Sequence, residues 1–436
     1  MQKEEVNNPP EDYSILKGKK ILYLPEFDLE NDMVARWRHL WPSKYLHEKG
    51  LEYKIKGAME SIIYRPTKEE MEQNPNRYAV EIRSDMGFNN TDNRAQAHVL
   101  KNLKKEVDES DVVVFGRTNN LFASDIFDYA KSSGKVIGYE VDDLTFGKNG
   151  VFNKTLKPGD KSLGEYIGEH VKGADFVTVT TPYLKEEAAK LRGSLENIYI
   201  IKNRLDLESL GKEMNLTKKI QNPNEKLRIG WAGGKYHINK ILELEDTFKK
   251  LNEKYKNKLT FVFKGFDEEN MNSEKEKENF ERLKDFFKKE KIDYEFHPYT
   301  KSGDWKQYYK ELKSLGIDIF FAPLKNDPSH EAKSELKYLE ASLIGAPIVV
   351  PAIGGHKYAV KNGETGILIY PEDQNKGFYE GISHLIDNPK ERERISENAK
   401  KDLLENYDVR KSSEELSKIF SEQIQRKNKL EEIVKL

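Results

Sequence analysis

Short runs of apolar, mostly β-branched residues recur along the chain, and segments with helical periodicity separate them. Such continuous apolar strands, interleaved with helices, are typical of a parallel sheet that helices cover on both faces. One series of these runs lies in the amino-terminal half of the chain and a second lies in the carboxyl-terminal half. The predicted strands are residues 20–25, 112–115, 136–139, 176–180, 227–231, 259–264, 292–296, 317–323, 346–351 and 366–370.

A polar stretch divides the two series. Residues 206–226 contain asparagines, a proline and many charged side chains but no apolar run, so we interpret them as a linker. The sequence further predicts a polar arm at 1–18, an α/β domain at 19–205, a second α/β domain at 227–405 and a charged helix at 406–436. Two doubly wound Rossmann-like domains in tandem predict a ligand cleft at the carboxyl ends of both sheets.

The composition excludes several classes of function. The 436 residues are too many for one ordinary core and suit two domains. There are no cysteines, which excludes disulfides, thiolate metal sites and cysteine nucleophiles. The net charge of −2 argues against nucleic acid as a partner. Because the amino-terminal stretch has no apolar signal core and no run reaches the length of a membrane span, we predict a cytoplasmic protein.

The segment from residue 318 to residue 351 has the most features that suggest chemistry. Its pattern predicts a strand, a loop, a helix and a further strand. Ser334 is the expected N-cap of the helix, and Gly345 is expected just beyond its last turn. The amino end of a helix offers backbone amides and a positive dipole, so this helix start is a suitable seat for a phosphate.

Three polar side chains of this segment are expected on the helix face opposite the core. Lys333, Lys337 and Glu340 are three and four residues apart, a spacing that makes them neighbours on a helix. The lysines would add positive charge near a phosphate, and Glu340 would accept hydrogen bonds from sugar hydroxyls. The alternative is a surface helix with a stripe of salt bridges.

The same residues resemble a known signature. The segment is similar to the donor-binding motif of GT-B glycosyltransferases of the family-4 type, also called glycosyl transferases group 1, in the branch with a KSxxKxLE pattern. The resemblance implies two Rossmann-like domains that face a central cleft, with the donor bound mainly by the second domain. The matching positions are Lys333, Ser334, Lys337, Leu339, Glu340, Gly345, Pro347, Gly354 and residues 362–366.

The resemblance assigns roles to particular positions. Glu340 matches the second glutamate of the family's E-x7-E motif, which implies a contact with the nucleotide ribose. The backbone at Ser334 and Glu335 matches positions that face the donor's phosphate or sugar. The first glutamate of the motif falls at Ala332, where this sequence departs from the pattern, and Glu331 lies one residue away.

A glycine-rich turn follows the first strand of the carboxyl-terminal series. Gly233 and Gly234 would let the backbone approach a diphosphate closely, and Lys235 or Lys240 would neutralise its charge. The stretch resembles the family's GWxGxxxH sequence, in which His237 also matches. The alternative is an ordinary tight turn between a strand and a helix, since such turns often use glycine.

Polar side chains also follow strands of the amino-terminal series. Asp142 and Asp143 come directly after the strand at 136–139, at the edge where α/β active sites lie, and would orient an acceptor hydroxyl or act as a base. A divalent cation site and a helix N-cap are the alternatives. Arg36, Arg38 and Arg117 are candidate acceptor contacts, and a helix packed on the core is the alternative for the first two.

These observations together predict a glycosyltransferase that moves a sugar from a nucleotide-diphosphate sugar to an acceptor hydroxyl in bacterial-type glycan or glycoconjugate synthesis. The resemblance implies retention of anomeric configuration, no metal, no cofactor beyond the nucleotide-sugar substrate, and a last helix that crosses back to the first domain. Expected acceptors are a glycan, a lipid-linked group or a protein, and peripheral association with the inner face of a membrane or with a partner protein stays open. A nucleotide-sugar epimerase of the same fold and a non-catalytic nucleotide-sugar-binding subunit are the rival interpretations.

Overall fold

A computed structural model describes residues 14–25, 36–48, 50–55, 93–116, 121–152, 161–213, 226–271, 273–300 and 304–435. The chain divides into two compact units. The first unit comprises Met1–Val179, Lys185–Ile201 and Arg410–Leu436, and the second comprises Thr180–Leu184 and Lys202–Val409. The end of the chain therefore clusters with the first unit.

The first unit contains a parallel sheet whose described strands follow the order β2-β1-β3-β4-β5-β6. The sequence predicted four of these strands. It missed β2 and β6, because these edge strands are only half-buried and so carry no continuous apolar run. The strands are β1 (Lys20–Leu24), β2 (Glu52–Ile55), β3 (Val112–Gly116), β4 (Val136–Val141), β5 (Phe176–Val179) and β6 (Ile198–Ile200).

The second unit contains a parallel sheet of the order β12-β11-β10-β7-β8-β9, and the sequence predicted each of these strands within a few residues. Because the chain reverses its direction of travel across the sheet between β7 and β10, a crevice is expected at their carboxyl ends. The strands are β7 (Leu227–Ala232), β8 (Leu259–Lys264), β9 (Tyr294–His297), β10 (Ile319–Phe321), β11 (Ile348–Pro351) and β12 (Ile367–Ile369).

Helices connect the parallel strands and cover the sheets, as the interleaved pattern predicted. They are α1 (Trp41–His47), α2 (Asn93–Asp108), α3 (Leu121–Ser132), α4 (Leu163–Gly173), α5 (Pro182–Arg192), α6 (Leu207–Glu213), α7 (Ile238–Leu242), α8 (Glu245–Tyr255), α9 (Glu274–Lys289), α10 (Trp305–Ser314), α11 (Pro328–Glu331), α12 (Leu336–Ile344), α13 (His356–Ala359), α14 (Gln374–Asp387), α15 (Pro389–Asn406) and α16 (Val409–Lys435). No helix of the described residues is both long enough and apolar enough to cross a membrane.

Each unit has its own apolar core. In the first, residues of β1, β3, β4 and β5 pack with Phe420 and Ile424 of α16. Leu16 is fully buried in this core. The last residues of the polar arm predicted at 1–18 therefore pack against the first unit. The core of the second unit is rich in phenylalanine from β8, α8 and α9. Helix α6 falls inside the stretch predicted as a linker, and residues 214–225 of that stretch lie outside the described residues.

Candidate functional site

The glycine-rich turn after β7 lies directly against the loop after β8. The amide of Gly233 donates to the carbonyl oxygen of Lys264 at 3.0 Å. Gly265 has a φ of +104°, and a Cβ atom there would lie 1.8 Å from the carbonyl oxygen of Gly233. A side chain at residue 265 is therefore excluded both by backbone conformation and by space. The two loops meet backbone to backbone at the carboxyl edge of the sheet.

The segment after β10 differs from its prediction. We expected Ser334 to be the N-cap of the helix, and this is wrong, because α12 begins at Leu336 and its N-cap, Glu335, makes no capping bond through its side chain. The carbonyl oxygen of Lys333 accepts the amide of Gly355 at 2.7 Å instead of a helical amide. Ser334 Oγ accepts from the side chain of Asn203 at 2.9 Å. Tertiary contacts thus occupy the backbone of Lys333 and the side chain of Ser334, and the helix begins just after them.

A glycine of the loop after β11 is pressed against this turn. Gly354 has a φ of +59°, and a Cβ atom there would lie 2.6 Å from the carbonyl oxygens of His330 and Lys333. Glu331 fastens the loop, since its Oε2 accepts from the amide of Gly354 at 3.2 Å and from Lys357 Nζ at 2.7 Å. Ala332, where the family motif has its first glutamate, is fully buried. Glu331 therefore holds the loops that form the crevice wall.

Basic side chains gather at the carboxyl ends of β7 and β10. Lys240 Nζ lies 3.0 Å from His237 Nδ1. Burial, followed by the charge of Lys333, lowers the pKa of Lys240 to about 8. Burial, followed by the charges of Lys240, Lys337 and Lys333, lowers the pKa of His237 to about 3. These mutual effects mean that the basic groups lie close enough to repel one another, which an anionic ligand would relieve.

The sequence interpretation missed a histidine that belongs to this group. His330 Nδ1 lies 2.8 Å from both carboxylate oxygens of Asp327, which fixes the ring. Burial lowers the pKa of His330, and the charge of Lys240 acts in the same direction. Asp327 also caps α11 by accepting the amide of His330 at 3.0 Å. The signal in the sequence was the Asp-Pro pair at a helix start with a histidine three residues after the aspartate.

Two of the predicted donor-site lysines are held in ion pairs. Lys235 Nζ lies 3.2 Å from Glu276 Oε2, on α9. Lys337 Nζ lies 2.7 Å from Glu340 Oε2. Glu340 is only 3% exposed, so the prediction that it lies on the helix face opposite the core is wrong. The reason is that Tyr308 reaches over from α10 and donates to Glu340 Oε1 at 3.1 Å.

In the first unit, Asp142 and Asp143 directly follow β4 and are half-buried, at the carboxyl edge of that sheet. Arg38 is placed differently from its prediction as an acceptor contact. Its Nε donates to Glu140 Oε1 at 2.6 Å, and its Nη1 donates to the carbonyl oxygen of Ile201. The side chains of both partners are at least 95% buried. The guanidinium of Arg38 therefore neutralises a buried carboxylate inside the first unit, where an unpaired charge would be strongly destabilising. Arg117 and the side chain of Arg36 lie outside the described residues.

Solved structures share this architecture. Anabaena Alr3699/HepE in complex with UDP-glucose superposes with a TM-score of 0.60 over 92% of this chain and 99% of that chain, at 14% sequence identity. Sucrose-phosphate synthase from Thermosynechococcus elongatus superposes with a TM-score of 0.58 over 94% of this chain and 100% of that chain, at 13% identity. Together with the two six-stranded parallel sheets, these similarities confirm the predicted α/β fold of GT-B type.

Sequence comparisons match one part of the chain to a known family. Residues 217–402 match the sequence model of the family "Glycosyl transferases group 1". A D-inositol 3-phosphate glycosyltransferase of Thermomonospora curvata is 36% identical over 72 residues, 16% of this chain and 16% of the relative. An uncharacterized glycosyltransferase of Methanocaldococcus jannaschii is 24% identical over 264 residues, 60% of this chain and 61% of the relative. The matches thus span less than two thirds of either relative.

The second unit carries a glycosyl transferases group 1 domain, as the motif between Lys333 and Glu340 predicted.

Proposed function

We propose that the protein transfers a sugar from a nucleoside diphosphate sugar to an acceptor hydroxyl. The observation that carries this proposal is the group of basic side chains at the switch point of the second sheet, where Lys240, His237 and His330 are held close together and Lys333 adds its charge. Such a group is suited to a doubly charged diphosphate. The family of the domain and the UDP-glucose bound to the structurally similar Alr3699/HepE support the same donor class.

In this proposal the second unit binds most of the donor. The backbone at Gly233 and Gly234 and the first amides of α12 lie against the diphosphate, and Lys240 and Lys333 neutralise it. Glu340 accepts hydrogen bonds from the ribose hydroxyls. Charge develops on the diphosphate as the sugar leaves, so cations that are already in place stabilise the transition state more than the ground state.

We further propose that the first unit presents the acceptor, with Asp142 or Asp143 orienting its hydroxyl. The acceptor is a glycan, a lipid-linked group or a protein. Retention of anomeric configuration is proposed from the family resemblance, and independence from metal ions is proposed because lysines supply the charge that a cation would otherwise provide. Activity that persists in EDTA and a product of unchanged anomeric configuration by NMR are the expected results, and loss of activity in EDTA would contradict the second of these proposals.

A ligand screen tests the donor class directly. The protein is heated alone and with UDP, GDP, dTDP, CMP and their sugars, and the expected result is that one nucleoside diphosphate raises the melting temperature. A ligand at 100 times its Kd stabilises the fold by about 2.7 kcal/mol. Turnover of the donor without any acceptor would favour an epimerase, and tight binding without transfer would favour a non-catalytic subunit. Binding of none of these nucleotides would contradict the proposal.

The affinity for the diphosphate is expected to depend on pH through Lys240. Its pKa in the free protein is lowered to about 8, chiefly by burial, and contact with a diphosphate would raise it again. Above pH 8 the ligand must therefore bind together with a proton, so affinity falls as pH rises. We expect binding to be about tenfold weaker at pH 9 than at pH 7, measured by calorimetry.

The variant Lys240→Gln provides the control for this pH dependence. It is expected to bind the nucleotide more weakly at pH 7 and to lose most of the difference between pH 7 and pH 9. The pKa values of His237 and His330 are both lowered, so their titration lies below this pH range. A pH dependence that is unchanged in Lys240→Gln would show that another group is responsible.

The acidic pair of the first unit is expected to affect transfer but not donor binding. A charge-assisted hydrogen bond that orients the acceptor hydroxyl is worth about 1.5 kcal/mol, so we expect Asp142→Asn or Asp143→Asn to slow transfer about tenfold. The nucleotide Kd, measured on the same preparations, should match that of the unmodified protein. Full activity in both variants would remove the pair from the mechanism.

A further inference from the structure

Glu340 contacts a residue that lies far outside the donor motif. Tyr308, on α10, donates its hydroxyl to Glu340 Oε1 at 3.1 Å across 32 residues of sequence. Burial raises the pKa of Tyr308 well above its ordinary value, and the charge of Glu340 adds to this effect, so the hydroxyl keeps its proton and remains a donor at neutral pH. The hydrogen bond therefore needs no change of protonation on the tyrosine in the free protein.

The second oxygen of the same carboxylate has a partner of its own. Lys337 Nζ donates to Glu340 Oε2 at 2.7 Å, and the side chain of Glu340 is 4% exposed. With one donor on each oxygen, rotation of the carboxylate about its last bond would break both hydrogen bonds. Each carboxylate oxygen still has a further lone pair, so the group keeps two acceptor positions in a fixed orientation. Two adjacent acceptors match the two neighbouring hydroxyls of a ribose.

The helix that carries Tyr308 is itself held rigidly. One turn further along α10, Glu311 Oε2 accepts from Lys264 Nζ at 2.7 Å and from Thr300 Oγ1 at 2.7 Å. Lys264 is the last residue of β8 and is 3% exposed, so α10 is attached to the sheet through an ion pair whose lysine is buried. Asp304 caps the start of the helix by accepting the amides of Lys306 and Gln307. Tyr308 thus lies on a helix that is tied to the sheet and capped at its start.

We propose that Tyr308 is a positioning residue, which holds the carboxylate of Glu340 so that it accepts from both ribose hydroxyls and makes the protein select ribonucleotide donors over 2′-deoxyribonucleotide donors. The inference rests on the proposed function, because it requires the donor nucleotide to lie on Glu340. A 2′-deoxyribose offers only one of the two hydroxyls, so it leaves one of the oriented acceptors without a partner. Without the tyrosine hydroxyl, the carboxylate would turn toward Lys337 and this selectivity would fall.

Calorimetry with matched nucleotides tests the inference. The Kd values of UDP and 2′-deoxy-UDP, and of GDP and 2′-deoxy-GDP, are measured for the full chain and for Tyr308→Phe. We expect the full chain to bind the better ribonucleotide about tenfold more tightly than its deoxy form. In Tyr308→Phe that ratio is expected to fall to about two, with the deoxy affinity nearly unchanged. Tyr309→Phe removes a hydroxyl from the neighbouring, fully buried tyrosine of the same helix and should keep the ratio.

The ratio separates positioning from a general loss of structure, because a distorted site would weaken both nucleotides equally. An unchanged ratio in Tyr308→Phe, together with a lost ratio in Glu340→Gln, would overturn the role of Tyr308 and leave the donor proposal intact. An equal affinity for ribo and deoxy forms in the full chain would overturn the selectivity. If Glu340→Gln binds both nucleotides as the full chain does, or if the full chain binds neither pair, the donor proposal itself fails and the inference fails with it.

Discussion

Replacing Glu340 with alanine is expected to abolish the thermal stabilisation that the preferred nucleoside diphosphate gives. The variant would lose two hydrogen bonds that the ribose hydroxyls donate to a charged acceptor, each worth about 1.5 kcal/mol, and affinity would fall by about 150-fold. The loss is large because the carboxylate is oriented before the ligand arrives, by Lys337 at 2.7 Å and Tyr308 at 3.1 Å. Thermal shift and calorimetry at constant pH measure the effect.

A matched control separates this loss from a change in net charge. Glu397 is an exposed glutamate of α15, and Glu397→Ala removes the same charge from the same unit. This variant should bind the nucleotide with unchanged affinity. Circular dichroism should show that Glu340→Ala remains folded, since only one ion pair and one hydrogen bond of a unit with a large apolar core are removed. Unchanged nucleotide affinity in Glu340→Ala would end the assignment of a ribose contact to this residue.

The largest effect on stability is expected at Gly265. A Cβ atom there would lie 1.8 Å from the carbonyl oxygen of Gly233, and the φ of +104° disfavours every residue with a side chain. Because the obstructing atom belongs to the backbone, the loops after β7 and β8 must separate. We expect Gly265→Ala to lower the free energy of unfolding of the second unit by about 4 kcal/mol and its melting temperature by about 10 °C.

Gly211→Ala is the control for this substitution. Gly211 lies in α6, and a Cβ atom there would meet no other atom within 4 Å. Alanine is the better helix former, so this variant should be more stable by up to about 1 kcal/mol. Nucleotide binding should also fail in Gly265→Ala, since the displaced Gly233 loop forms part of the proposed diphosphate site. An unaltered melting temperature in Gly265→Ala would mean that the close approach of the two loops does not exist in solution.

The sequence predicted most strands correctly because buried parallel strands leave a strong local signal. The run Val112 to Phe115 is continuous and apolar, and in the structure all of β3 is buried. The two strands that it missed, β2 and β6, lie toward the edges of their sheet, where half-buried residues give no such run. The order of the strands could not be predicted from local patterns, because it depends on hydrogen bonds between strands that are tens of residues apart in the sequence.

The donor motif was recognisable because Lys333, Ser334, Lys337 and Glu340 are close in sequence. Their spacing alone did not give the right local structure, since the helix begins later than its residues suggest. A loop more than fifteen residues away decided this, when Gly355 took the carbonyl oxygen of Lys333 at 2.7 Å. The spacing also did not predict the burial of Glu340, because Tyr308, which donates a hydrogen bond to it, belongs to another helix.

The fold class, the family of the domain in the second unit and the motif residues could thus be predicted from the amino-acid sequence, because periodicity and spacing are properties of neighbouring residues. Which of those residues are accessible, and which are held in ion pairs within the protein, depends on the tertiary structure. Arg38 and Lys235 were both candidates by charge, and each is held by a buried or half-buried carboxylate from a distant element. The physical reason is that a charge removed from water must find a partner, and only the folded chain determines which partner is within reach.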